Sequence, residues 1–410
     1  MLYFFGSTGG PQLLKEGWDA AGWIERARNK RLAIQVTNQD LLFQMVPMTG
    51  LGELKENLND ENNNQMVSKK HSREILFTEP YKVTTKQKDL SSKLGPRQVL
   101  IRASYSLISS GTELKIFKGK FDDDAALDIN IKNMEDERMS YPLSYGYCLV
   151  GVVVDCGSEV LREKYMGKTV FTFSPHATHI ITDVDATQIV PDGINAQDAI
   201  FMPSIETALS IVHDANVRVG ENVAVYGQGL IGLLVTALLS RGKSTFDHDV
   251  TSGKFDSITA FDMIPDRLAA ASKMGASQAL VPGTESQGGP FDVSIEVSGN
   301  ARALQSAIDN TSHGGKIIIA SWYGNNDVSL KLGIEFHRSH KTIQTSQVSE
   351  IPASMSRLWS KERRFAFTWE LVKQIRPSRL LSKILTLEHA QEAYEALDNG
   401  TEIAIAFDYS

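Results

Sequence analysis

Three glycines at G-x-G-x-x-G spacing, Gly227, Gly229 and Gly232, follow the short apolar run Val223-Ala-Val-Tyr226 and lead into the apolar run Leu230 to Leu239. Glycines in this pattern bind ligands with backbone rather than side chains. Gly227 lets a strand turn sharply, Gly229 leaves room for a pyrophosphate to approach the main chain, and Gly232 lets a new helix pack close to its strand. The loop Gln228, Leu230 and Ile231 then presents N–H groups at a helix N-terminus carrying a partial positive charge. Asp262 ends a second apolar run, Ser257-Ile-Thr-Ala-Phe261, where a carboxylate accepts the adenosine-ribose hydroxyls and repels a 2′-phosphate. It predicts NAD(H) over NADP(H), with Arg267 five residues on offsetting part of that repulsion. Asp262 lies 35 residues beyond Gly227, where about 20 is usual. The polar segment Lys243 to Asp256 accounts for the excess as a surface loop. An ordinary strand-to-helix turn would carry similar glycines, but not the acid after the second run.

The elements that must position these groups alternate in the second half of the chain. After Asp262 come a helix over Pro265–Gly275, strands at Gln278–Val281 and Phe291–Val297, a helix over Ala301–Asn310, and strands at Gly315–Ser321 and Lys341–Thr345. Near-continuous apolar strands separated by helices predict a parallel sheet covered on both faces, an α/β doubly wound dinucleotide fold of six strands. Ser298, Gly299, Ser321 and Ser346 follow those strands and are predicted to rim the cofactor crevice at the strand carboxyl ends. A helical stretch, Pro352–Ile375, is followed by strand Leu381–Leu385, helix Glu388–Asp398 and strand Glu402–Phe407, a tail expected to return to the preceding domain.

That preceding domain is β-rich, with strands predicted at Arg73–Phe77, Gln98–Ala103, Leu149–Asp155, Lys168–Phe173 and Thr178–Thr182. Residues 1–68 read as an extension. It holds a possible amphipathic helix over Pro11–Lys30 and a polar, asparagine-rich linker at Glu53–Gln65. The expected division is 1–68, 69–204, 205–348 and 349–410, with the last segment rejoining the β-rich part.

With 410 residues, two cores are the default. A net charge of −7 and a pI near 5.8 argue against nucleic acid or an anionic membrane as the main partner. The two cysteines, Cys148 and Cys156, fit a reduced compartment and build no disulfide framework. No apolar run approaches the roughly 18 residues of a membrane span, and the amino terminus lacks a basic region before its apolar patch. The default expectation is an intracellular, cytoplasmic protein, with a plastid left open, acting on a small molecule as a homodimer.

Ser109-Ser-Gly-Thr-Glu113, Tyr141-Pro-Leu-Ser-Tyr-Gly-Tyr147, Ser174-Pro-His176, Ile205-Glu-Thr-Ala-Leu209 and Ser346-Gln-Val348 complete a recognisable order of parts. Across residues 70–410 the chain resembles the medium-chain dehydrogenase/reductase superfamily. It is similar in particular to the zinc-lacking branch that contains bacteriochlorophyllide dehydrogenases, which oxidise a 3-hydroxyethyl substituent on a chlorin ring. The resemblance implies a Rossmann domain joined to a GroES-like catalytic domain, and possible action on a large, flat, hydrophobic substrate. The superfamily's zinc alcohol dehydrogenases hold their metal with a Cys before Gly-Thr, a Gly-His-Glu, and a later Cys or Glu. Here those positions carry Ser110, Gly146-Tyr147-Cys148 and, approximately, Met202-Pro203. Zinc needs thiolate, imidazole or carboxylate ligands, and none of the nine histidines forms an i, i+4 pair. The expectation is therefore no zinc.

Hydride transfer needs positioning and a proton partner for the oxygen. By motif position, the resemblance places Ser110, Thr112 and Tyr147 where zinc and substrate would otherwise sit, and Thr207 near the nicotinamide. Tyr147 is the first candidate for the substrate-oxygen partner, since a phenol both donates and accepts. His176 is a second candidate, with a pKa suited to relay near neutrality. Glu206 stands beside Thr207. Each has a plainer reading: Tyr147 as a packing residue, His176 as the cap of a turn after Pro175, Glu206 as the partner of an arginine. Two further functions stay open, an NADPH-linked quinone or enone reductase and an NAD-binding protein without turnover.

Overall fold

The computed structural model describes residues 32–36, 43–47, 71–91, 93–122, 126–127, 138–241, 257–284, 288–333 and 335–410. The expected helix over Pro11–Lys30, the linker at Glu53–Gln65 and the loop Lys243–Asp256 lie outside them. The chain divides into two compact units, Met1–Lys69 and Lys70–Ser410. In the first, β1 (Leu32–Val36) pairs antiparallel with β2 (Phe43–Pro47), Leu32 opposite Pro47.

The second unit opens with the hairpin β3 (His71–Glu79) and β4 (Lys82–Asp89). β4 was not anticipated, because Lys-Val-Thr-Thr-Lys-Gln-Lys-Asp buries only Val83 and so lacks the alternation that marks a strand. Then come β5 (Gln98–Leu107), α1 (Ser110–Phe117), β6 (Leu149–Cys156), α2 (Glu159–Tyr165), β7 (Thr169–Thr172), β8 (His179–Asp183) and β9 (Thr187–Ile189). β5 organises this region. One edge pairs with β6, while the other is shared by β8 along Gln98–Arg102 and by the last strand of the chain along Tyr105–Leu107.

Helices α3 (Ala196–Ala199) and α4 (Met202–Ala215) lead to β10 (Val223–Tyr226), α5 (Leu230–Arg241), β11 (Ile258–Phe261), α6 (Pro265–Lys273), β12 (Gln278–Leu280), β13 (Phe291–Glu296), α7 (Ala301–Asn310), β14 (Thr311–Ile319), α8 (Glu335–Arg338) and β15 (Thr342–Thr345). The six strands form one parallel sheet in the order β12-β11-β10-β13-β14-β15. β10 and β11 are buried at every position, as a sheet covered on both faces requires. The order reverses between β10 and β13, which opens a crevice at their carboxyl ends.

The tail consists of α9 (Lys361–Ile375), β16 (Lys383–Thr386), α10 (Ala390–Asp398) and β17 (Ile405–Asp408). The helix begins at Lys361 rather than at Pro352, because the Ser360 hydroxyl accepts the Arg363 N–H and caps it there. β17 pairs with β5 and β16 with β17, so the tail does rejoin the first β-sheet. The result is a Rossmann sheet with a GroES-like β-domain. Among the described residues no helix is long and apolar enough to cross a membrane.

Candidate active site

The glycine loop joins β10 to α5, and each glycine meets a different constraint. Gly227 has φ +100°, and a Cβ there would sit 2.8 Å from the Ser298 backbone. A Cβ on Gly232 would lie 1.9 Å from the Gly227 carbonyl oxygen, so close packing of α5 admits no side chain. Gly229 faces open space, with nothing within 4 Å of its Cβ position. Leu230 is buried against the core and Ile231 is half-buried, which leaves their backbone at the first turn of the helix.

Asp262 is buried at the end of β11. Its Oδ2 accepts the Gln228 N–H at 2.6 Å and its Oδ1 accepts the Ile264 N–H at 2.9 Å, so the carboxylate braces the glycine loop. Each oxygen keeps a lone pair for a further donor. Two sequence assignments need correction here. The Gln228 N–H, expected to face the pyrophosphate, is donated to Asp262, and the Gln228 side chain donates to the Val225 carbonyl at 3.1 Å and accepts from Thr236 Oγ1 at 3.1 Å. Arg267, expected to offset the Asp262 charge, donates to the carbonyls of Gly400 and Glu402 at 3.1 and 3.3 Å.

On the other side of the crevice, Glu296 was missed by the sequence reading. It is fully buried at the end of β13, and its Oε1 accepts from Ser298 N, Ser298 Oγ and Gly299 N at 2.6, 2.7 and 2.9 Å. Its Oε2 accepts from Tyr323 Oη at 2.7 Å. Glu296 thus sets the turn that Gly227 packs against, and burial with the neighbouring carboxylate pushes the Tyr323 phenol up. Ser321 Oγ accepts from Gly299 N at 2.8 Å. Ser346 donates instead to Asp214 Oδ2 at 2.6 Å, tying the end of β15 to α4. A carboxylate closing an apolar strand was the available signal for Glu296, the same signal that marked Asp262.

The residues expected at the substrate lie where β5 gives way to α1. Tyr147 Oη is hydrogen-bonded to Ser109 Oγ and stands 3.5 Å from Thr112 Oγ1. Ser109, rather than Ser110, is therefore the nearer serine; Ser110 sits half-buried in the first turn of α1. Burial pushes the Tyr147 phenol well above its ordinary range, with Cys148 and Glu113 adding to it and the two hydroxyls opposing. Tyr147 is accordingly an uncharged donor at neutral pH. Burial and Glu113 likewise push the Cys148 thiol far up.

Behind this set lies a closed polar core. Glu113 and His176 are fully buried, with Glu113 Oε2 2.9 Å from His176 Nε2. The carboxylate also accepts from Ser109 N at 2.7 Å and from Tyr394 Oη at 2.5 Å. His176 Nδ1 is 2.6 Å from Ser106 Oγ, which in turn contacts Tyr409 Oη at 2.8 Å. Both ring nitrogens are engaged, and a Cβ on Gly146 would strike the ring at 2.6 Å. This geometry corrects the relay role assigned to His176: the imidazole is locked inside the domain. Glu113 reaches back to the Ser109 N–H as a capping interaction; the S-x-x-E pattern of Ser110-Gly-Thr-Glu113 signals a cap there but points to Ser110, one residue past the N-cap.

Glu206 is also engaged. Its Oε1 accepts from Arg364 Nε at 2.8 Å, and both side chains are buried. Burial pushes the Glu206 carboxyl up while Arg364 opposes that shift. The guanidinium continues to Ser210 Oγ and the Glu350 carbonyl at 3.1 Å each, and to the Val348 carbonyl at 2.5 Å. The plainer reading, an acid neutralising an arginine, describes Glu206. Thr207 lies half-buried beside it on α4.

The donors at the expected metal positions are mostly not zinc ligands. At the positions that the resemblance in the sequence assigns to zinc ligands stand the Ser110 hydroxyl, the hydrogen-bonded Tyr147 phenol next to the buried Cys148 thiol and, approximately, the buried Met202 thioether. Among the described residues no group of three or more His, Cys, Asp or Glu is arranged to hold a metal ion. The glycine loop, in contrast, suits a dinucleotide, because the cradle at Gly229 is open.

No family model matches the chain. It is similar to the D-guloside 3-dehydrogenase of Escherichia coli K12, 30% identical over 265 residues, covering 61% of this chain and 72% of the relative. Among solved structures, an alcohol dehydrogenase from Escherichia coli CFT073 complexed with NADH has TM-score 0.63 at 15% identity, covering 82% of this chain and 99% of that one. A zinc-binding dehydrogenase from Sinorhizobium meliloti 1021 bound to NADP has TM-score 0.64 at 15% identity, covering 83% and 99%. The chain belongs to the medium-chain dehydrogenase/reductase superfamily and is a nicotinamide-dependent oxidoreductase.

Proposed function

We propose that this chain is a zinc-independent, NAD-dependent dehydrogenase that interconverts a secondary alcohol and its ketone, with the Tyr147 hydroxyl as partner of the substrate oxygen. The observation that carries the reading is the cluster of three hydroxyls, Ser109, Thr112 and Tyr147, next to the positions that the resemblance in the sequence assigns to zinc ligands. A bound nicotinamide supplies the hydride acceptor in oxidation and the donor in reduction. The chain supplies the rest. The open backbone at Gly229 and the first turn at Leu230 and Ile231 take the pyrophosphate. Asp262 offers its remaining lone pairs to ribose hydroxyls and repels a 2′-phosphate.

In reduction Tyr147 passes its proton to the ketone oxygen and takes one back from the neighbouring Ser109 or Thr112 hydroxyl; in oxidation it takes the alcohol proton while handing its own to one of those hydroxyls, and these half-buried groups exchange the proton with solvent. The buried Glu113–His176 pair holds Ser109 in place and does not meet substrate. The relative's name points to a sugar hydroxyl, and the resemblance in the sequence points to a hydroxyethyl group on a tetrapyrrole. In both, the reacting centre is a secondary alcohol. Turnover on a panel holding polyols, glycosides and a hydroxyethyl chlorin separates the two classes. Titration with NADH and NADPH tests the cofactor: NADH is expected to bind tighter, and tighter NADPH overturns the role given to Asp262.

A further inference from the structure

Lys115 stands on α1 one turn beyond Thr112, an i, i+3 spacing that puts the two Cβ atoms about 5–6 Å apart. It is half-buried, and it has no hydrogen-bond or ion-pair partner among the described residues. Its charged neighbours add to the cost. Burial, then the Lys120 and Lys118 ammonium groups, push its pKa down, and no carboxylate among the described residues counters them. Lys118 has a partner of its own in Asp398. A partly desolvated ammonium without a counter-charge is unfavourable unless a bound anion offsets it.

The plainer role, a cation complementing the C-terminus of α1, is already filled. Lys118 N, Gly119 N and Lys120 N donate to the carbonyls of Leu114, Ile116 and Lys115 at 3.1, 3.0 and 2.8 Å. The loop after β14 closes over the same side chain. A Cβ on Gly324 would lie 2.5 Å from the Lys120 carbonyl oxygen and 3.7 Å from Lys115 Cδ, and Asn325 Nδ2 donates to the Phe121 carbonyl at 3.4 Å. That loop begins with Ser321 and Tyr323, which are tied to Gly299 and Glu296 at the crevice rim. Lys115 therefore lies between the turn that carries Thr112 and the loop that leaves the cofactor crevice.

We propose that Lys115 binds an anionic group of the substrate, a carboxylate or a phosphate, so that the secondary alcohol belongs to an acidic molecule rather than a neutral one. The inference rests on the dehydrogenase reading above and narrows its substrate class. An ammonium takes either anion as a point charge, and the exposed Lys120 adds positive potential nearby in a chain of net charge −7. NADH cannot accept a hydride, so titration of the NADH-saturated protein reads binding without turnover. The probes are sorbitol, gluconate and sorbitol 6-phosphate, which share a run of secondary alcohols and differ in the charge at one end. Calorimetry is expected to show gluconate or sorbitol 6-phosphate binding at least about tenfold tighter than sorbitol, the tighter of the two naming the anion. Lys115→Met keeps an apolar stem and removes the charge. It should bring that anion down to the level of sorbitol and leave NADH affinity unchanged, with circular dichroism checking that the variant is folded. Equal binding of the three probes, binding of none, or a preference that survives in Lys115→Met would each overturn the proposal. An equal fall in NADH affinity would overturn it too, by assigning the lysine to the cofactor. Failure of the wild type to oxidise the tight-binding acid with NAD would count against the dehydrogenase reading and leave the anion subsite standing.

Discussion

Replacing Tyr147 by Phe removes one hydroxyl and little else. The ring packs partly against the core and edge-on to Tyr145 at 6.0 Å, contacts that phenylalanine keeps. The lost group is the one donor that Ser109 and Thr112 both orient. Removing a single preorganised donor from a developing oxyanion costs about 10²–10³-fold in kcat. The two remaining hydroxyls can hold a water in the gap, so the lower end, about 10²-fold, is expected. At 1.36 kcal/mol per decade that is about 2.7 kcal/mol of barrier. Folding stability should fall by only about 1 kcal/mol, one hydrogen bond's net worth. The NADH affinity should not change, because the glycine loop and Asp262 are untouched. Steady-state kinetics with NADH binding measured by fluorescence gives all of these quantities on one preparation. The pH profile adds a sign. Burial raises the phenol's pKa, so the donor form persists through neutrality and beyond its ordinary value of about 10. Activity dependent on Tyr147 should therefore show no loss from phenol ionisation below that pH. Full turnover by Tyr147→Phe, or an alkaline loss below pH 10 that the variant abolishes, would refute the assignment. The first result would favour reduction of an activated double bond, which needs no dedicated proton partner.

The glycine loop yields a paired prediction. Gly232→Ala forces a Cβ onto the Gly227 carbonyl and should lower the melting temperature sharply, whereas Gly229→Ala enters open space and should leave melting unchanged while weakening NADH binding. Equal effects on melting would remove the distinction between the packing and the ligand-facing glycine. Arg364→Met leaves the Glu206 carboxylate buried without its partner and should cost about 3–5 kcal/mol of stability by denaturant unfolding. Glu206→Gln, which keeps an acceptor for Arg364, should retain most turnover, and its complete inactivation would restore Glu206 as a catalytic base.

The parts legible in the sequence were those whose cause is local. The strand Val223–Tyr226, its glycines and Asp262 announce themselves within 40 residues, and the structure pairs Gln228 N with Asp262 directly. The tail's return to the β-domain was also readable, from strands left over once the parallel sheet was complete. The roles of His176 and Arg267 were not, and for Glu206 the arginine partner was one of two open readings. Each is decided by a partner remote in sequence: Glu113 is 63 residues from His176, Arg364 is 158 from Glu206, and Gly400 is 133 from Arg267. Residue type states what a side chain is able to do, and burial against a distant partner decides what it is free to do. Ser109 was passed over for Ser110 for a related reason. The motif names both serines, and only the entry angle of α1, fixed by Glu113 on the Ser109 N–H, selects the one that meets Tyr147.

The central claim is that the hydroxyl set, not a metal, handles the substrate oxygen. Single-turnover NADH formation on a substrate identified from the panel, before and after exhaustive dialysis against a zinc chelator, tests it most directly. The account predicts the same rate in both samples, a zinc content well below one per chain, and loss of that rate in Tyr147→Phe. A rate abolished by the chelator and restored by added zinc would contradict it.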